Sequence, residues 1–447
     1  MLPPGSRVGV AVSGGADSTA LLYLMAEHRD QYELAVIHVN HGFRGQESDA
    51  DEQLCREMAS RLELPIHVMR GDPLPSRSNL EEFARNTRQH FFSQLLQTKA
   101  VDYVVTAHTR DDQVETVLFR LLRGAHLSGI AGIHPSKGQV VRPLLETASR
   151  SDLETYLLER GIPWREDSSN QSLDFSRNRI RHELLPQLER DWNPEIRGSF
   201  VRMAHLAYDE EQFWRSYADR IGTEIFERKG NTAVVVASKL MSHPVAVARR
   251  LVRWIIQGIK GDLRQIEYLH VEAVLDLVRL AGGHGRVILP GIDVMRSFEW
   301  LRFAPYEPDS KVDHLAVRNQ EVQLTVPGEA TAADGSQIRL EVVDPGENDT
   351  VKASDLLQWE PVVATGDLIL RCWKPGDQYD AAGNFGEGPK KLKTMFQDCR
   401  VPLWDRATWP IITLGKQIIW ARKFGPAKQW AAGDRTAAQR LRITRIG

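Results

Sequence analysis

Residues Arg7–Ser18 read RVGVAVSGGADS, a Val-rich run that ends in two glycines and a Ser/Asp cluster. A short apolar run of this kind reads as a buried strand, and the following TALLYLMAE, with Leu21, Leu22 and Leu24, has helical character. A strand that passes through a glycine loop into a helix brings backbone N–H groups and the positive end of the helix to one point, which favours an anion. Adjacent glycines let the backbone approach that anion closely. Ser13, Gly14, Gly15, Ala16, Asp17 and Ser18 are therefore the expected phosphate-binding residues. Asp17 is the odd member, because a carboxylate repels phosphate unless a cation lies between them. A magnesium ion held by Asp17 resolves the conflict. No lysine follows the glycines, so this is not the mononucleotide P-loop, and the spacing is not the dinucleotide fingerprint. The plain alternative is a Gly-Gly turn with a Ser/Asp cap, and the strand–loop–helix context weighs against it.

Three further strand-like runs follow at Leu34–Val39, Leu64–Met69 and Asp102–Ala107. Between them Glu47–Leu62 has helical spacing, and Asn79-Leu80-Glu81-Glu82 starts an amphipathic stretch with a capping-box pattern. Alternation of strand and helix predicts an α/β domain, a parallel sheet with helices on both faces, over residues 1–190. Long amphipathic runs at Ile196–Lys229, Val245–Lys260 and Leu263–Ala281 predict a mainly helical middle domain over 191–310. Short strands separated by Pro327-Gly328, Asp334-Gly335, Pro345-Gly346 and Pro375-Gly376 predict a small β-rich domain over 311–447.

Composition narrows the class. A chain of 447 residues exceeds what one core supports, and 42% apolar with 26% charged residues excludes wholesale disorder. No apolar run approaches the roughly 20 residues that span a bilayer, so no membrane protein is expected. The N-terminus carries no secretory pattern, and Cys55, Cys372 and Cys399 are too few and scattered for a disulfide framework. A cytoplasmic protein is expected. The net charge of −2 hides an asymmetry: residues 361–447 hold 15 Lys+Arg against 7 Asp+Glu, a net +8. Such an end suits a polyanionic partner, the bland alternative being a solvated surface. Six of the eleven tryptophans (359, 373, 404, 409, 420, 430) lie within residues 311–447. Stacking on RNA bases and burial in a β-rich core both account for them, and at least half are expected in the core.

Two motifs fall where an open parallel sheet binds ligands, at the carboxyl ends of its strands. His38-Val39-Asn40-His41-Gly42-Phe43-Arg44 ends the second strand. Thr106-Ala107-His108-Thr109-Arg110-Asp111-Asp112-Gln113-Val114-Glu115 follows the fourth. A helix beginning near His108 puts 108, 111, 112 and 115 on one face. Three carboxylates and an imidazole together call for cations, with magnesium and a substrate amine as candidates. A solvated acidic first turn is the plain reading. Further on, Arg177, Arg179 and Arg181 place three guanidinium groups within five residues, suited to phosphate or to a surface patch.

The glycine loop resembles that of the PP-loop ATP pyrophosphatase superfamily. With HVNHGFR, the DDQVET block, Arg142-Pro143-Leu144-Leu145, Glu166–Asn170 and RNRIR in order over about 1–185, the chain resembles the tRNA(Ile)-lysidine synthase family. The segments Arg371–Asp377, Lys390–Phe396 and Val401-Pro402 into Trp409-Pro410 resemble its tail. Thr109 stands where that family commonly has a second histidine. The resemblance implies ATP and Mg2+, free L-lysine, and a tRNA(Ile) with a CAU anticodon. The wobble cytidine is adenylated at its C2 oxygen, and the lysine ε-amine then displaces AMP. It implies Asp17, Asp112, Glu115 and Arg177 as catalytic residues and Asp17 and Asp111 on the metal. His38 joins the glycine loop on the nucleotide. His41, Arg44, His108, Asp112, Glu115, Arg123, Arg179, Arg181, Lys390, Lys391 and Lys393 face lysine or tRNA. A homodimer stays open. The alternatives are a tRNA thiolase of the same superfamily, or a non-catalytic RNA-binding protein with a relic ATP loop.

Overall fold

The computed structural model describes residues 2–43, 45–71, 80–125, 127–165, 176–280, 282–306, 321–343, 356–358, 368–383, 388–431 and 440–446. Arg44, Glu166–Asn170, Pro345-Gly346 and Trp359 lie outside the described residues. The chain divides into two compact units, residues 1–215 and 216–447.

The first unit is built on β1 (Arg7–Ala11), α1 (Ala16–Ala26), β2 (Glu33–Asn40), α2 (Gln46–Arg61), β3 (Ile66–Arg70), α3 (Leu80–Gln97), β4 (Tyr103–Val105) and α4 (Arg110–Leu122). The short α5 (Leu127–Ile130), β5 (Ser136–Lys137) and β6 (Val140–Val141) lead to α6 (Arg150–Glu159). Then α7 (Ser176–Arg179) passes through a π turn (Ile180–Leu184) into α8 (Leu185–Asp191), and α9 (Ile196–Ile225) follows. The sheet order is β3-β2-β1-β4-β6-β5, parallel except for β5. The central strands β1, β2 and β4 are buried on both sides, as their near-continuous Val/Ile content predicts. Val8, Val10 and Val36 pack with Leu21, Leu22, Met58 and Leu157 of the helices on one face. Ile37 and Val104 pack with Phe91, Phe92 and Leu95 of α3 on the other. Strand order reverses between β1 and β4, so the glycine loop after β1 and the motif after β4 meet at the switch point, where such sheets form their ligand crevice.

In the second unit, helices Ala237–Met241, Val245–Lys260 and Tyr268–Arg279 accompany a five-stranded antiparallel sheet. Its strands are, in spatial order, Phe226–Lys229, Thr232–Val236, Trp300–Pro305, Ile292–Ser297 and His284–Leu289. The run expected to stay helical to Lys229 stops at Ile225. Phe226–Lys229 turns back through Gly230 (φ 58°) to pair with Thr232–Val236, and the Phe226 ring packs 5.9 Å from Phe303. Amphipathic spacing continued past the helix end because a strand edge can also bury every second residue. The helix expected from Leu263 likewise starts at Tyr268.

The remaining described strands form a five-stranded, a four-stranded and a two-stranded sheet, the four-stranded one pairing Gln337–Val343 with Arg440–Ile446 over seven residue pairs. Trp409 and Trp420 are buried, and half-buried Trp373 and Trp430 pack against the same clusters, so these four are core residues. Lys390-Lys391 pair with Gln378-Tyr379, and Lys391 and Lys393 are exposed. Among the described residues no helix is long and apolar enough to cross a membrane.

Candidate active site

The glycine loop follows its sequence reading closely. Gly14 sits at φ 90°, a conformation that favours glycine, and Gly15 caps α1 with no side-chain hydrogen bond to the first-turn N–H groups. Those groups face outward at the positive end of α1. Ser18 braces the loop from below: its hydroxyl donates to the Gly15 carbonyl (3.0 Å) and accepts from the Ser13 N–H (3.1 Å). A second brace comes from Arg165, just before the Glu166–Asn170 stretch. The Arg165 N–H donates to the Gly14 carbonyl (3.0 Å), and its guanidinium pairs with Asp51 at 2.7 Å, beside Gly14.

Asp17, in the first turn of α1, is the loop's one carboxylate. Its Oδ2 accepts from Arg150 Nη2 at 2.9 Å, while its Oδ1 is buried without a hydrogen-bond partner among the described residues. Burial pushes the carboxyl above its ordinary range even against the Arg150 bond. A half-satisfied, buried carboxylate beside free helix N–H groups is what a cation shared with phosphate would complete. Among the described residues no group of three or more His, Cys, Asp or Glu could hold a metal ion.

The α4 motif is organised by Thr109 rather than His108. Thr109 is the N-cap, and Asp112 Oδ2 in turn accepts from the Thr109 N–H at 2.9 Å, a capping box. That gives the departure from histidine a local explanation. The cations that the acidic face calls for are arginines. Asp112 Oδ1 accepts from Arg177 Nη2 (2.8 Å). Glu115, wholly buried, accepts from Arg177 Nε (2.7 Å) and from Arg181 Nε and Nη2 (2.5 and 3.1 Å). Asp111 accepts from Arg197 Nη1 (2.8 Å) and from the Arg150 backbone N–H (2.8 Å). Asp111 thereby joins the starts of α4 and α6, with both oxygens engaged, as those of Asp112 are by Arg177 and the Thr109 N–H. Of the three RNRIR arginines, the i,i+4 pair Arg177 and Arg181 turns inward, and exposed Arg179 pairs with Glu183 at 3.5 Å.

Histidines line the neighbouring strand ends. His38 Nδ1 donates to the Val12 carbonyl (2.8 Å), which leaves Nε2 a buried acceptor without a partner among the described residues. Burial lowers its pKa. His41 stacks on Phe43 (5.3 Å), and burial lowers it to about 4. His108 Nδ1 meets the Thr106 hydroxyl at 3.0 Å, and burial lowers it to about 4 despite Asp112. All three imidazoles are neutral at pH 7. Asn40, between them, is fixed by Glu52, whose carboxylate also binds Arg56 and Arg70. Exposed Arg123 lies over the Phe119 ring at 4.2 Å, beyond the helix face that carries the carboxylates.

Arg150 and Arg197 were absent from the motif reading. Arg150 had a signal in the Ser149-Arg150-Ser151-Asp152 capping box that starts α6; Arg197 sits inside a long amphipathic run and had none.

A PP-loop domain model matches residues 3–188, and a TilS substrate C-terminal domain model matches 368–443. The tRNA(Ile)-lysidine synthase of Solibacter usitatus is 42% identical, covering 97% of each chain. That of Geobacter sulfurreducens is 35% identical over 100% of this chain and 95% of its own. That of Symbiobacterium thermophilum is 31% identical over 98% and 94%.

Proposed function

Because the chain belongs to the tRNA(Ile)-lysidine synthase family, we propose that the crevice between the glycine loop and α4 carries out its two half-reactions. The enzyme is an ATP-using PP-loop ligase that forms lysidine on the wobble cytidine of tRNA(Ile). The observation that carries the site reading is Asp17, half-satisfied and buried beside the uncapped N-terminus of α1. These residues fit a magnesium-bound nucleotide: the first-turn N–H groups bind phosphate oxygens, and Asp17 holds the cation. When bound, magnesium neutralises charge on the departing pyrophosphate. Ser18 and Arg165 keep the loop in shape, and His38 offers its Nε2 acceptor to the nucleotide.

For the second half-reaction the amine of free lysine must be held and lose a proton. Asp112, partly open to solvent, is the carboxylate suited to face the ammonium. Glu115 has no exposure and spends its oxygens on Arg177 and Arg181, so it acts as a positioning residue for those guanidiniums. His108 is too weak a base to take a proton from an ammonium, and its neutral ring serves as a hydrogen-bonding wall. Arg44, Arg123, Arg179 and the exposed Lys391 and Lys393, with Lys390, supply positive charge for tRNA phosphates. The thiolase alternative loses its nucleophile: Cys55 is buried and its thiol is pushed up to about 12.

The decisive experiment incubates a CAU-anticodon tRNA with the protein, ATP, Mg2+ and lysine and analyses its nucleosides. Lysidine that depends on all of these is expected. A thiolated nucleoside, or unchanged cytidine with active protein, refutes the proposal.

A further inference from the structure

Four carboxylates, Asp17, Asp111, Asp112 and Glu115, face four guanidiniums, those of Arg150, Arg197, Arg177 and Arg181. Three of the arginines hold carboxylates on α4, where nothing in the ATP chemistry requires them to leave. Arg150 differs. Its partner is the loop carboxylate assigned to the cation, and its side chain is about one-third exposed against 15% for Asp17. Its backbone is pinned, because its N–H is held by Asp111, and the preceding Ala148 carbonyl accepts from the Arg110 N–H at 3.0 Å. The side chain is therefore a tethered arm at a fixed point beside the loop. Asp112 and Glu115 also face it, without bonding it.

Building on the ATP-loop reading above, we propose that Arg150 is a phosphate-binding residue that guards Asp17 until nucleotide arrives. In the ligand-free chain its guanidinium neutralises Asp17. When a cation takes over that carboxylate, the guanidinium is released within reach of the incoming phosphates and forms a fork on the pyrophosphate that will leave. The exchange conserves local charge. One cation replaces another on Asp17, and the displaced one meets the phosphate charge that came with the nucleotide. No covalent step is involved.

The test has two readouts that a merely structural arginine would move together. The first is calorimetric binding of inorganic pyrophosphate to the full chain at saturating Mg2+, where the ion holds Asp17 and Arg150 is free to meet phosphate. The second is the Mg2+ concentration that half-saturates pyrophosphate release from ATP. Arg150→Gln should weaken pyrophosphate binding at saturating Mg2+ by at least tenfold, yet lower the Mg2+ requirement severalfold, because the ion no longer competes for Asp17. Arg150→Lys, which keeps the charge but not the fork, should lie between Gln and wild type in both. Arg150→Gln that binds pyrophosphate as wild type does, or that needs more Mg2+, overturns the proposal. If Arg150→Gln melts early, Arg150→Lys decides: wild-type values in both measurements overturn it. A wild-type chain that binds neither ATP nor pyrophosphate refutes the ATP-loop reading itself, an outcome distinct from failure of Arg150 alone.

Discussion

Replacing Glu115 by Gln should destabilise the first unit by about 3 kcal/mol, before any effect on chemistry is considered. The carboxylate is wholly buried and takes three guanidinium hydrogen bonds of 2.5–3.1 Å from Arg177 and Arg181. Hydrogen bonds to charged groups contribute about 1.5–3 kcal/mol each, and breaking one side of a buried ion pair costs about 3–5 kcal/mol. Gln keeps one acceptor oxygen but turns an NH2 donor toward a guanidinium, donor against donor. Arg177 is 39% exposed, so water replaces part of what it loses, which favours the lower end of that range. In a unit of this size, each kcal/mol moves the melting point by about 2–4 °C, so a drop of about 6–12 °C is expected. Calorimetry of the full chain measures it, the relevant transition being the one that added ATP raises. A shift below about 2 °C would refute the view that Glu115 is the buried anchor of the two arginines. Lysine KM for this variant should be compared with wild type well below the new melting point, since activity lost at higher temperature would report unfolding.

Asp17→Asn should lower pyrophosphate release by roughly 10²–10⁴-fold at saturating Mg2+, and near-normal release would remove Asp17 from the metal. Thr109→Ala removes the α4 cap and should cost about 1 kcal/mol in chemical denaturation; no loss would mean that the capping box is dispensable. Glu52 tests pH dependence. Burial alone would raise its pKa, but Asn40, Arg56 and Arg70 outweigh it and hold the carboxyl at about 2, against an ordinary 4.5. A pKa depressed by folding gives stability that is complete above the unfolded value and is lost as pH falls through the folded one. The full shift corresponds to roughly 3.4 kcal/mol, and the exposure of Arg56 and Arg70 reduces it, so Glu52→Gln should be less stable than wild type by about 2 kcal/mol at pH 7, with the gap closing between about pH 4.5 and 2. A gap constant with pH would contradict the linkage. Replacing Lys390, Lys391 and Lys393 together by Ala should weaken tRNA binding and flatten the slope of log affinity against log salt by about 2. An unchanged slope would take these lysines off the RNA.

The α/β unit was legible because each of its signals is local. Val-rich runs that end at a glycine pair or a helix cap define strands whatever packs on them, and the switch point follows from their order. The cations around α4 were half legible. Arg177 and Arg181 stood out as a cluster, but their partners are 62 and 66 residues away, and sequence pairs no arginine with a carboxylate at that distance. Read alone, the cluster suggested phosphate; in the fold its two inward members neutralise the motif's own acids. The hairpin at Phe226 was missed for a related reason. Its apolar positions fit a helix face equally well, and what decides is Phe303, a residue 77 positions later.

The pairing of Asp17 with Arg150 spans 133 residues, and Arg197 closes the same network 86 residues beyond Asp111. On the ribosome, chains grow at about 5–20 residues per second, so the glycine loop emerges roughly 10–35 s before residue 197 follows it. Until Arg150 emerges, β1 and α1 can form while Asp17 lacks its counterion, and Asp111 lacks Arg197 to the end of that interval. A nascent or prematurely ended chain therefore carries a folded-looking phosphate loop whose charge is uncompensated. Only a chain extended past α8 has a balanced site, which ties the onset of nucleotide chemistry to the completion of the whole first unit.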